Sequence, residues 1–323
     1  MVFPIAGNTL IVQAQKAFYA ITAPAKILKS LRPAVAAGSL VLMRKIYAAL
    51  LLVSSYCCAQ TNLRAIPANL LIPKPPPSAP IADWTASPTH TLQSLSLADA
   101  TLRGWEYPSA SSKSPVVLFF NGNGMTVDRS ESLYSAISAL GGDLWVYDYR
   151  GIGFSSGSPD VMTFRQDALR IYDAVAAARP GRPIVVYGFS LGTAMASYVA
   201  RERKVSGIIL AGTIASATEE FPVYTQAHGL PLEIAASLTP APDSIEAFNE
   251  VGNISRSTAP LLMLHGEADT LVPINQGREV FAASLSTRKQ FVSLPGVAHN
   301  QTPATPQSIS AVAEFLATFH PAL

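Results

Sequence analysis

The chain has little cysteine, no acid over its first 82 residues and no long apolar run. Its two cysteines, Cys57 and Cys58, are adjacent. Neighbouring cysteines rarely bridge each other, so a disulfide framework is excluded, and two thiols are too few for a cysteine-rich zinc site. No Asp or Glu precedes Asp83, whereas six basic residues (Lys16, Lys26, Lys29, Arg32, Arg44, Lys45) fall within residues 1–59. Residues 60–323 hold 17 basic and 21 acidic residues, a net of −4, which argues against nucleic acid as a partner. Charged residues make up only 14% of the chain and hydrophobic ones 49%, the balance of a filled core and not of a disordered segment. A length of 323 residues accommodates one large α/β domain behind an N-terminal extension.

That extension reads as a leader over residues 1–59. From Met43, Arg44 and Lys45 supply a positive start and Ile46 to Val53 an apolar stretch of signal-peptide length, short for a membrane span. Cys57 and Ala59 occupy the −3 and −1 positions of a cleavage site after Ala59. A lipoprotein signal is the competing reading, with Cys57 or Cys58 lipidated, although Tyr56 stands where a small residue is expected. For residues 1–42 three readings stay open: a start at Met43, an organelle-targeting peptide, or an uncleaved anchor. The first expectation is export, with the body periplasmic, secreted or held at a membrane through its leader. Residues 60–89, which include Pro73-Lys74-Pro75-Pro76-Pro77-Ser78-Ala79-Pro80, are expected to form an extended spacer.

Residues 90–323 alternate strand-like and helix-like segments, which predicts a mostly parallel central sheet with helices on both faces. Leu92–Leu97 and Thr101–Tyr107 read as an initial hairpin. Val116–Phe120 is continuously apolar, as befits a strand buried on both faces. Strands follow at Leu144–Tyr149, Pro183–Tyr187, Val205–Leu210, Leu261–Leu264 and Gln290–Leu294. Helical spacing marks residues 128–140, 160–179, 194–201, 276–285 and 308–319, with Phe164, Ala168, Ile171 and Val175 on one face. Between 211 and 259 the rhythm breaks at Pro222, Pro231, Pro240 and Pro242, and this stretch reads as an inserted cap.

The sharpest motif is Gly188-Phe189-Ser190-Leu191-Gly192 between a strand and a helix. A tight strand-to-helix turn holds a serine hydroxyl out at the strand end, and the residues two before and two after it come so close that only the smallest fit. The helix that follows turns its positive end toward negative charge developing at that hydroxyl. A serine nucleophile needs a base. Of His90, His228, His265, His299 and His320, only His299 lies in the loop just after the last strand. Asp269, in the loop after Leu261–Leu264, is the acid expected to orient it, with Glu267 as the competing carboxylate. The oxyanion is expected to meet the backbone N–H groups of Leu191 and Asn123, the latter in the loop Asn121-Gly122-Asn123-Gly124; Gly124 is the next choice.

Asn121–Gly124, Asp148-Tyr149-Arg150-Gly151-x-Gly153, Gly188–Gly192, His265–Pro273 and His299 together resemble the α/β-hydrolase superfamily. More narrowly they are similar to the membrane-associated serine hydrolases that include animal protein depalmitoylases and many bacterial relatives. The resemblance spans about residues 90–320, and the order Ser190, Asp269, His299 is that of the superfamily. One departure is Asn121, where these relatives usually carry a histidine. The resemblance implies an ester or thioester hydrolase that forms an acyl-enzyme, takes a small-molecule or lipid-like acyl substrate and needs neither metal nor organic cofactor. Two alternatives remain: a serine peptidase or amidase using the same groups, and a non-catalytic binding protein on the same scaffold. Asp148 and Arg150 are expected to organise their loop structurally.

Overall fold

The computed structural model describes residues 65–66, 72–77, 81, 89–227 and 239–320. The leader, with Cys57 and Cys58, and His228 in the cap lie outside them. Eight strands form one sheet: β2 (Thr91–Ser96), β3 (Thr101–Tyr107), β4 (Val116–Phe120), β5 (Asp143–Tyr147), β6 (Ile184–Phe189), β7 (Gly207–Ala211), β9 (Leu261–Gly266) and β10 (Lys289–Leu294). Their order is β10-β9-β7-β6-β4-β5-β3-β2, and β3 alone runs against the rest. Every residue of β4, β5, β6, β7 and β9 is buried. This accounts for their unbroken apolar runs, because crossover helices cover both faces of a parallel sheet.

The period of two sorts each strand between two cores. Val116, Leu118 and Phe120 face one side, where they meet Phe164, Ala168, Ile171 and Val175 of α2 (Val161–Ala178) and Met195 and Val199 of α3 (Leu191–Glu202). Val117 and Phe119 face the other, against Tyr134 and Ile137 of α1 (Glu131–Ser138) and Val312 and Leu316 of α8 (Pro306–Ala317). The long helices begin where side chains can satisfy free backbone donors. Asp160 accepts from Thr163 N–H at the start of α2, and Thr305 accepts from Ser308 N–H ahead of Pro306 in α8.

The cap supplies α4 (Ala217–Ala227), β8 (Thr239–Pro240), α5 (Pro242–Ala247) and α6 (Glu250–Ile254), and the sheet then resumes, with α7 (Ile274–Ala283) between β9 and β10. The described pieces of the proline-rich stretch lie against the body. Ala65–Ile66 (β1) pairs in parallel with β8 of the cap. Ile72 is buried in the core. The carbonyls of Pro75 and Pro76 accept from Gly153 N–H and from the Arg129 guanidinium. Extended proline-rich backbone makes no internal hydrogen bonds, so its carbonyls remain available to the body.

Candidate active site

The carboxyl ends of β4, β6, β7 and β9 lie side by side, since Phe120 is opposite Gly188, Phe189 opposite Ala211 and Ala211 opposite Leu264. Open α/β sheets place their sites at such an edge. Ser190 sits between β6 and α3 at φ 51°, the one non-glycine with positive φ among the described residues. A side chain in this region is strained and persists only where its surroundings impose it. The imposition is visible at both neighbours. A Cβ on Gly188 would lie 2.4 Å from the Gly192 carbonyl oxygen, and one on Gly192 would lie 2.0 Å from that of Phe120. The chain can pass only as glycine, and the Ser190 hydroxyl is thereby held clear of the sheet.

His299 enters from a short helical turn after β10. Its Nε2 lies 2.8 Å from Ser190 Oγ and its Nδ1 2.6 Å from Asp269 Oδ2. The other Asp269 oxygen accepts from Leu271 N–H at 3.0 Å and Val272 N–H at 2.8 Å, which fixes the carboxylate plane. Ser190, His299 and Asp269, 109 and 30 residues apart in sequence, are thus brought into one hydrogen-bonded line. Glu267 is not part of it: it is exposed and accepts from Ser293 Oγ. His265 lies behind the line, fully buried, with Nε2 2.8 Å from the Val272 carbonyl and 3.6 Å from Asp269. Burial lowers its pKa, so it stays neutral and donates to that carbonyl. His90 is buried against Trp105 and Tyr107, and His320 follows α8.

A cavity of about 290 Å³ opens beside Ser190. Asn123 and Leu191 line it, as do Ile72, Met125, Phe189, Ile214, Phe221, Phe248, Leu271 and Val272. In the loop after β4, Gly122 N–H already points at Met125 Sδ, 3.2 Å away, and Asn123 Nδ2 donates to Tyr224. Asn121 is wholly buried: Tyr134 donates to its side chain and Tyr149 to its carbonyl. Asp148 accepts from Val127 N–H and Phe154 N–H, and burial raises its pKa to about 7. Arg150 grips Asp167 with two hydrogen bonds. Both residues tie loops together away from the cavity. Among the described residues no group of three His, Cys, Asp or Glu side chains could hold a metal ion.

Glu220 and Ile72 line the cavity without belonging to any sequence motif. Glu220, on α4, is buried and receives a hydrogen bond from Gln276 Nε2 at 2.8 Å, while Gln276 Oε1 accepts from Ala215 N–H. The available signal was helical spacing, since Ala217, Glu220, Phe221 and Thr225 share the buried stripe of α4. Ile72, in the proline-rich arm, was hidden because nothing in an extended segment announces what it packs against.

Residues 111–243 match the family described as serine aminopeptidase, S33. The lysophosphatidylserine lipase ABHD12 of Rattus norvegicus is 28% identical over 75% of this chain and 66% of its own length, and that of Danio rerio 29% over 75% and 67%. The match thus spans about two thirds of these relatives. Among solved structures, the esterase Pf2001 of Pyrococcus furiosus superposes with a TM-score of 0.60 at 18% identity, over 77% of this chain and 97% of that one. The monoglyceride lipase of Saccharomyces cerevisiae gives 0.57 at 17%, over 74% and 98%. At such identities the structures speak for the fold. Taken with the sheet order, they give this chain the α/β-hydrolase fold, and in sequence it is similar to lipases and to the serine aminopeptidase family.

Proposed function

We propose that the chain cleaves carboxylic esters of lipid-like acyl groups, thioesters included, with Ser190 as nucleophile, His299 as base and Asp269 as the acid that orients it. The observation that carries this reading is the line of hydrogen bonds from Ser190 through His299 to Asp269 at the mouth of an apolar cavity. His299 Nε2 takes the proton as Ser190 Oγ attacks the carbonyl carbon. Asp269 keeps the other proton on Nδ1 and stabilises the imidazolium. The oxyanion meets the N–H groups of Leu191 and Asn123, helped by the N-terminal end of α3. Collapse of the intermediate returns the proton to the leaving alcohol and leaves an acyl group on Ser190. Water, activated by His299, then releases the acid.

The cavity supports the acyl preference. Its lining is mainly apolar and its size is at the lower end for small-molecule sites, which suits one hydrocarbon chain better than a peptide. The names of the ABHD12 relatives point the same way; the description of the family model favours the peptidase reading. A series of p-nitrophenyl esters of increasing chain length, run beside an acyl-thioester and an aminoacyl-p-nitroanilide, separates the two. Faster turnover of the anilide would reject the ester reading.

The leader completes the proposal. Its basic start, short apolar stretch and small residues before Thr61 support delivery of the body out of the cytoplasm, free or held at a membrane. No helix among the described residues is long and apolar enough to cross a membrane.

A further inference from the structure

We propose that Glu220 is a specificity-determining residue whose carboxyl hydrogen-bonds a free hydroxyl on the alcohol half of the ester. This rests on the esterase reading above. The geometry is that of a polar group built into an apolar wall. Glu220 lines the same cavity as Ser190 and His299, beside Ala217 and Phe221 of its own helix. Gln276 Nε2 occupies its Oε2, and Gln276 is itself fixed by Ala215 N–H. Among the described residues nothing is bonded to Oε1. A carboxyl positioned on one oxygen with the other unclaimed is poised for a ligand.

The chemistry of that ligand follows from the surroundings. The groups that face Glu220 are Asp269 after β9, Glu250 on α6, Tyr224 on α4 and the uncharged Gln276 on α7. None brings a positive charge, and no Lys or Arg lines the cavity. Burial, reinforced by the Asp269 charge, raises the Glu220 pKa to about 8, so at neutral pH it is an acid with a proton to donate. An anionic headgroup finds no cation here, and an ammonium group finds no carboxylate. The acyl half is hydrocarbon and has nothing to offer. An uncharged polyol fits, since its hydroxyl both accepts and donates.

The test compares kcat/KM on 1-decanoylglycerol and ethyl decanoate, which share an acyl chain and differ in free hydroxyls. In the wild type the ratio is expected to favour the glycerol ester at pH 7 and to fall above pH 8. In Glu220→Ala the ratio should drop about tenfold to a hundredfold, the cost of a lost buried hydrogen bond. Glu220→Gln keeps a donor and an acceptor with no charge. Its ratio should stay near that of the wild type and lose its dependence on pH. A ratio unmoved in Glu220→Ala, or lowered equally in both variants, would overturn the proposal, as would preference for a lysophosphatidylserine of the same chain. If neither ester is hydrolysed by the wild type, the esterase reading itself has failed.

Discussion

Asp269 and Glu267 stand two residues apart in one loop, yet their surroundings assign them opposite roles. Asp269 is buried, holds His299 Nδ1 at 2.6 Å and has its second oxygen fixed by two backbone N–H groups, whereas Glu267 is exposed on Ser293. Asp269→Asn should therefore lower kcat by up to about 10⁴-fold, because an amide presents His299 with the wrong tautomer. Glu267→Gln should leave it within about twofold, and steady-state kinetics on one p-nitrophenyl ester reads both. Ser190→Ala should abolish fluorophosphonate labelling while the thermal transition is retained; labelling that persists would displace Ser190 as nucleophile. Glu220 offers a separate measurement on stability. Its pKa is raised in the folded state, so the folded chain binds a proton that the unfolded chain has released between about pH 4.5 and 8. Its ionisation therefore costs stability as pH rises through that window. Glu220→Gln removes the cost: its Tm should match the wild type near pH 4.5 and exceed it increasingly up to pH 8. A constant difference at every pH would mean that Glu220 is not the titrating group.

At the scale of elements, the turn between β6 and α3 shows how a motif becomes geometry. The added methyl of Gly192→Ala would press on the Phe120 carbonyl, which is backbone of a neighbouring buried strand and cannot move without opening the sheet. Overpacking of this kind costs about 1–3 kcal/mol, so Tm is expected to fall by about 5–10 °C with loss of labelling, as thermal melts would show. The strands were legible because full burial leaves unbroken apolar runs, as at Val116–Phe120, and α2 because its apolar residues recur at helical spacing. Boundaries were less so. The sequence extends the strand at β5 to Tyr149, but the chain leaves the sheet after Tyr147, where Asp148 turns to accept from Val127 and Phe154. The helix expected over 128–140 divides into a turn at Val127–Arg129 and then α1, because Ser130 breaks the helical backbone. Proline content at 72–77 reports an extended backbone shape and says nothing of docking. Ile72, on the cavity wall, makes the docking measurable. Ile72→Trp should shorten the preferred p-nitrophenyl ester by several carbons and Ile72→Ala should lengthen it; identical chain-length profiles would remove the arm from the substrate site.

Across the whole molecule, the arm connects two parts that the sequence presents as independent. The expected triad members were legible because each sits at a strand end in a recognisable loop. That Ile72 and Glu220 join them was not, because both reach the cavity only through tertiary packing of the arm and cap. The consequence concerns where the enzyme works. Ile72 lines the cavity and is 13 residues beyond Ala59, a length that reaches at most about 45 Å fully extended. If the leader is held at a membrane, by a lipidated Cys57 or Cys58 or by its apolar stretch, the cavity is confined to a layer of about that depth, within reach of a lipid ester. Cleavage after Ala59 would instead release the body. Each outcome leaves its own mark on the native protein, which N-terminal sequencing and metabolic labelling with a fatty acid analogue read directly. We expect a mature N-terminus between Cys57 and Thr61. Label on that cysteine should accompany partition into the membrane fraction, and then activity on vesicle-borne ester should exceed that of a chain released beyond Ala59. An N-terminus at Thr61 or Gln60 without label would retain export and reject the anchor. An intact N-terminus at Met1 or Met43 in the soluble cytoplasmic fraction would overturn export altogether.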